Sequence, residues 1–137
     1  MFVTGTEPTR RYHALLAGLR PDDVRVLRGI TRLHLQLWDK KDLEELAALG
    51  VSELLTNVLK HAATDSCELL VCETDAGVVV EVTDRCNTLP VIKDPTDDGV
   101  DGRGLHMLAG MAASIDFCPL TTGKCVRLTL SSAEHQR

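Results

Sequence analysis

A chain of 137 residues, 44% hydrophobic and 26% charged, has the size and composition of one globular domain with its own core. Fifteen basic against twenty acidic residues leave a net charge of −5, with one Trp, one Tyr and two Phe; that balance argues against direct nucleic-acid binding, which needs a basic footprint and stacking platforms. No apolar run approaches the ~18 residues of a membrane helix, and "MFVTGTEPTR" shows neither region of a secretory leader, so a cytoplasmic, membrane-free protein is expected.

Residues 1–9 read as a flexible arm. "RYHALLAGL" reads as a first strand, ending where Arg20 and Pro21 break the pattern. "PDDVRVLRGITRLHLQLW" places Pro and Asp at a helix start, with an apolar stripe of Val26 or Leu27, Ile30, Leu33 and Leu37. "DKKDLEELAALGVSELLTNVLKHAA" predicts a longer helix capped by Asp39 or Asp42. Gly50 inside it costs about 1 kcal/mol relative to Ala, tolerable where a backbone or ligand must come close. At ~100° per residue, Val51, Leu54, Leu55, Val58, Leu59 and Ala62 form one apolar arc. Glu53, Asn57, Lys60 and His61 gather on the other side, a grouping that alone reads as a solvated face.

"CELLVCET" and "VVVEVTD" flank the turn "DAG" and predict a hairpin. From Arg85 to Arg103 the chain is rich in Pro, Asp and Gly without helical or strand period, the mark of a functional or disordered loop. "GLHMLAGMAA" predicts a short helix, and strands "SIDFC" and "KCVRLTL" follow around "TTG". The last residues, 131–137, read as a frayed tail. Five cysteines (67, 72, 86, 118 and 125) show no CxxC spacing and no zinc site; all but Cys86 read as small buried hydrophobes. This order of elements predicts an α+β protein: a two-layer sandwich with one mixed, mostly antiparallel sheet and helices on one face.

Three features fall in a suggestive order: the polar helix face, Asp84 at a strand end, and Gly102 and Gly104 flanking Arg103 where a helix begins. Glycines at a helix start let backbone N–H groups approach phosphate oxygens. Together they resemble the GHKL ATPase superfamily of gyrase, histidine kinases and MutL. "ELLTNVLKHA" resembles its N-box, "VTDRC" and "GRGLHML" its two glycine boxes, and "TGKCVRLTL" its closing strand motif. The likeness covers residues 10–130 as a single domain. In size and in the style of its N-box the chain looks most like bacterial anti-sigma factor serine/threonine kinases.

The resemblance implies a Bergerat-type ATP-binding fold with ATP and Mg²⁺ as cofactors. It implies that Asn57 is the magnesium ligand and Glu53 the catalytic carboxylate, with Lys60 and His61 near phosphate or shaping the pocket. Asp84 matches the residue that accepts from the adenine amino group; an acceptor-only carboxylate favours adenine over guanine. Gly102, Arg103, Gly104 and Leu105 match the phosphate-side box, and residues 88–101 an ATP lid. Cys86 stands where the first glycine box has glycine. Lys124 stands where many relatives have a Thr reaching toward adenine, a contact for which Thr122 or Thr129 could substitute. By the same resemblance the partners are a sigma factor and a STAS-type anti-anti-sigma protein, and homodimers are common among such relatives. Glu53 favours a kinase; Cys86 and Lys124 leave room for a catalytically weak ATP-binding module that only docks partners.

Overall fold

Strict alternation builds the sheet. In β3 (Gly77–Asp84), Val78, Val80, Val82 and Asp84 are buried; in β2 (Cys67–Glu73), Cys67, Leu69 and Val71; in β5 (Gly123–Ser131), Lys124, Val126, Leu128 and Leu130. Period two sends each set to one face, where the helices cover it. The structure, a computed structural model, describes residues 10–61, 66–85, 113–121 and 123–132. β1 (Arg11–Leu16) and β4 (Ala113–Leu120) complete a five-stranded sheet of order β1-β2-β3-β5-β4. Every pairing between these strands is antiparallel, so the parallel element of the expected mixed sheet is not found among them. The loop after Arg85, its proposed lid over 88–101 and the expected short helix up to residue 112 lie outside the described residues; Ala113, read as the last residue of that helix, begins β4.

Helices α1 (Pro21–Leu37) and α2 (Glu44–His61) form the second layer, linked by a 3₁₀ turn at Lys41–Leu43. Pro21 occupies the first position of α1, and the Asp23 carboxylate accepts the Arg20 backbone N–H at 2.9 Å. The buried stripe of α1 is Val24, Leu27, Thr31 and Leu35, continued by Trp38. The expected stripe is right at Leu27 and partly at Ile30, but Val26, Leu33 and Leu37 are exposed at 55%, 60% and 74%. The helix carries apolar residues on two faces, and the inward one admits a polar residue. Thr31 satisfies its hydroxyl by donating to the Leu27 carbonyl at 2.8 Å and by pairing with the Tyr12 hydroxyl of β1. Tyr12 stacks on His34 at 4.4 Å, which fastens α1 to the edge strand. Burial raises the Tyr12 pKa to about 12.

α1 ends in a Schellman arrangement. The Lys40 N–H donates to the Leu35 carbonyl at 2.8 Å and the Asp39 N–H to Gln36 at 3.2 Å, with Asp39 at φ 61°. Asp39 therefore closes α1 rather than capping α2, and α2 starts after the 3₁₀ turn. The left-handed conformation disfavours branched side chains by about 1–2 kcal/mol. Asp39→Ile is expected to lower the urea unfolding free energy by about that amount, while Asp39→Gly leaves it equal or higher.

Candidate functional site

The polar face of α2 is set by its apolar arc. Val51, Leu54, Leu55 and Val58 are buried, which turns Glu53 and Asn57 to a half-buried position and leaves Lys60 exposed. Glu53 and Asn57 lie one helical turn apart on one side of α2. His61 closes the helix; its side chain lies outside the described residues, as does Ala62.

Two glycines show how α2 lies on the sheet. A Cβ on Gly77, at the start of β3, would come within 2.9 Å of Leu43 Cδ1, just before α2. A Cβ on Gly50 would come within 2.7 Å of Leu128 Cδ1, and Leu128 pairs with Val80. The close approach anticipated for Gly50 is thus with the core of β5. From residue 43 to 50 the helix rises about 10.5 Å, and from 77 to 80 the strand advances about 10 Å, so α2 and β3 run the same way at matched pace. Four further strand residues, about 13 Å, reach Asp84; about nine helix residues cover that distance and reach Leu59. The Asn57–Lys60 turn and Asp84 therefore share one end of the domain.

At that end lies an ion pair. Asp84 and Lys124 are register partners on β3 and β5, and both face the helix layer. The Lys124 ammonium donates to both Asp84 oxygens, at 3.0 Å and 2.9 Å, and the residues are 5% and 4% exposed. Gly123 makes the approach possible, because a Cβ there would sit 1.9 Å from the Asp84 carbonyl oxygen. Asp84, with Leu16, Cys67, Thr83, Arg85 and Leu120, borders a cleft of about 420 Å³ at the sheet end. Glu53 and Asn57 do not line that cleft.

Lys124 thus takes up Asp84 directly, and Thr129 cannot stand in for the missing threonine: it pairs with Val79 and falls on the opposite face of β5. Thr122, Cys86, Gly102, Arg103, Gly104 and Leu105 lie outside the described residues. The role of Gly123 and the Lys124–Asp84 pairing went unrecognised in the sequence. The signal was present, since Lys124 is in phase with Val126, Leu128 and Leu130 and so occupies a core-facing position. Of the cysteines, Cys67 is buried as expected, whereas Cys72 and Cys125 are partly exposed and Cys118 is exposed. Among the described residues no cluster of three or more His, Cys, Asp or Glu could hold a metal ion, and no helix is long and apolar enough to cross a membrane.

Residues 18–130 match the family described as the histidine kinase-like ATPase domain, and the chain belongs to that family. Domains of this GHKL class bind ATP, usually with Mg²⁺. The fold is similar to the histidine kinase domain of the Erythrobacter litoralis EL346 blue-light activated histidine kinase, with a TM-score of 0.52 and 24% identity over 69% of this chain and 46% of that one. A second structure of the same kinase gives a TM-score of 0.52 and 24% identity over 70% of this chain and 32% of that one. The chain spans less than half of either kinase chain, and the likeness at this identity concerns the fold. No curated protein matches.

Two predictions follow from the geometry. Lys124→Met removes the ammonium from a buried carboxylate and is expected to lower the unfolding free energy by about 3–5 kcal/mol, the range for breaking one side of a buried pair. Burial raises the Glu53 pKa, and the Lys60 charge opposes the shift. A carboxyl with a raised folded-state pKa costs stability once it ionises, and the cost is absent below its unfolded value, about 4.3. Glu53→Gln is therefore expected to raise Tm at pH 7, with the gain closing as the pH falls through the raised folded-state pKa and gone below about pH 4. An unchanged Tm difference across that range would count against the buried placement of Glu53.

Proposed function

We propose that this chain is an ATP-dependent protein serine/threonine kinase acting as an anti-sigma factor. In this reading it binds a sigma factor, and it phosphorylates a STAS-type anti-anti-sigma partner. The observation that carries the reading is the placement of Glu53 and Asn57 one turn apart on α2, at the end of the domain where Asp84 lies. The residues fit the implied ion: Asn57 offers a neutral oxygen donor at a partly exposed position, and magnesium takes oxygen ligands while keeping several waters. Asn57 would hold Mg²⁺, which supplies charge neutralisation at the phosphates when bound.

Glu53 would accept the proton of the partner's serine or threonine hydroxyl at a carboxylate oxygen. Its raised pKa suits that task, since a stronger base takes the proton more readily. By resemblance, Lys60, exposed beyond Asn57, and His61 meet phosphate or shape the pocket. Cys86, Gly102, Arg103, Gly104 and Leu105 enter the site by resemblance, as does the 88–101 lid. A second copy of the chain is the expected oligomeric partner.

One observation favours a second reading. Asp84 already holds the Lys124 ammonium, which weakens its grip on an adenine amino group and suits a module that binds nucleotide weakly and only docks proteins. Incubation with γ-labelled ATP, Mg²⁺ and purified STAS-domain proteins separates the two. The kinase reading expects label on a partner serine or threonine, falling by about 10²-fold or more in Glu53→Gln with nucleotide binding retained. Nucleotide binding without any transfer by the wild type would establish the module.

A further inference from the structure

Lys124 occupies a decisive place in this site, and its consequence rests on the reading of Asp84 as the group that meets the base. We propose that Lys124 sets the purine selectivity of the nucleotide site and flattens it, so that guanine nucleotides bind about as well as adenine nucleotides.

A carboxylate alone is an acceptor on both oxygens. It attracts the exocyclic amino group of adenine and repels the keto oxygen of guanine, which is the source of adenine preference. In this protein both Asp84 oxygens lie within 3.0 Å of one ammonium nitrogen. The unit facing the base is therefore a neutral pair, not an anion. Its acceptor strength toward an adenine amino group is reduced, because charge-assisted bonds weaken when the charge is already compensated. Its repulsion of a guanine keto oxygen is reduced as well, because a cation now stands beside the acceptor. Guanine also carries N–H donors next to its keto oxygen, so an Asp84 oxygen retains something to accept from either purine.

The pair is built to stay closed. Asp84 and Lys124 are opposite each other in the β3–β5 register, both are buried, and Gly123 holds β5 against the Asp84 backbone. Separating them to present a bare carboxylate would leave a charge buried without its partner, a costly state. Asp84 nonetheless borders the cleft at the sheet end, which Lys124 does not line, so a base reaching Asp84 there meets a carboxylate whose two oxygens are already held by the ammonium.

The test is competition of ATP, GTP and ITP against a fluorescent ATP analogue in Mg²⁺, on the whole chain. The wild type is expected to bind ATP and GTP with Kd values less than about tenfold apart, a difference under about 1.4 kcal/mol. Lys124→Arg, which keeps a cation beside Asp84, should retain that flat profile. Lys124→Thr, which offers Asp84 a hydroxyl in place of a charge, should prefer ATP by about tenfold or more. A wild type that prefers ATP by more than about tenfold overturns the proposal while leaving the nucleotide site standing. If no nucleotide displaces the analogue or binds the wild type directly, the nucleotide reading falls and the proposal with it. Should Lys124→Thr fail to fold by circular dichroism, the wild-type and Lys124→Arg profiles still decide.

Discussion

The buried pairing of Asp84 with Lys124 is the constraint around which this end of the molecule is arranged. An isolated charge among valines and leucines is untenable, and two charges are tolerated only with close, well-directed contact. The antiparallel register of β3 and β5 supplies that contact, and Gly123 removes the side chain that would hold the strands apart. In energetic terms such a pair adds little net stability compared with an apolar replacement.

The rest of the fold brings the Asn57 turn of α2 to the same end of the domain. α2 is held over β3 and β5 by Val51, Leu55 and Val58 and comes close at Gly50, so its direction along the sheet is fixed. That packing alone delivers Asn57 to the level of Asp84 and leaves Glu53 half-buried one turn back. Desolvation then raises the Glu53 pKa, against the opposing charge of Lys60. In the proposed site the metal ligand and the base stand on a helix and the base-reading acid on a strand, and one layer interface would position both.

Much of this was legible in the sequence, for physical reasons specific to each segment. "VVVEVTD" and "KCVRLTL" alternate cleanly, so the strands and their inward faces follow from period two. The apolar arc of α2 is unbroken from Val51 to Val58, so its polar face was readable as well. α1 was harder: Val26, Leu33 and Leu37 mimic a core stripe, while the inward face includes Thr31, whose hydroxyl is satisfied only by its own helix and by Tyr12. Asp39 looked like a helix cap because aspartate serves both ends, and only the backbone shows it at φ 61°. The partner of Asp84 lies 40 residues away in the chain, and no local pattern states a cross-strand register over that separation. The family likeness identified Lys124 as a departure but not what the lysine touches.

The central claim is that the Asn57 turn of α2 and the Asp84–Lys124 pair form one nucleotide site. The most direct measurement is a titration of the ¹⁵N-labelled chain with Mg-ATP, followed by backbone amide shifts. The account predicts saturable shifts concentrated at residues 53–61, 83–85 and 123–125, with the opposite end of the sheet around Gly77 and Leu130 unmoved. Shifts confined to that opposite end, or no saturable shift at all, would contradict it.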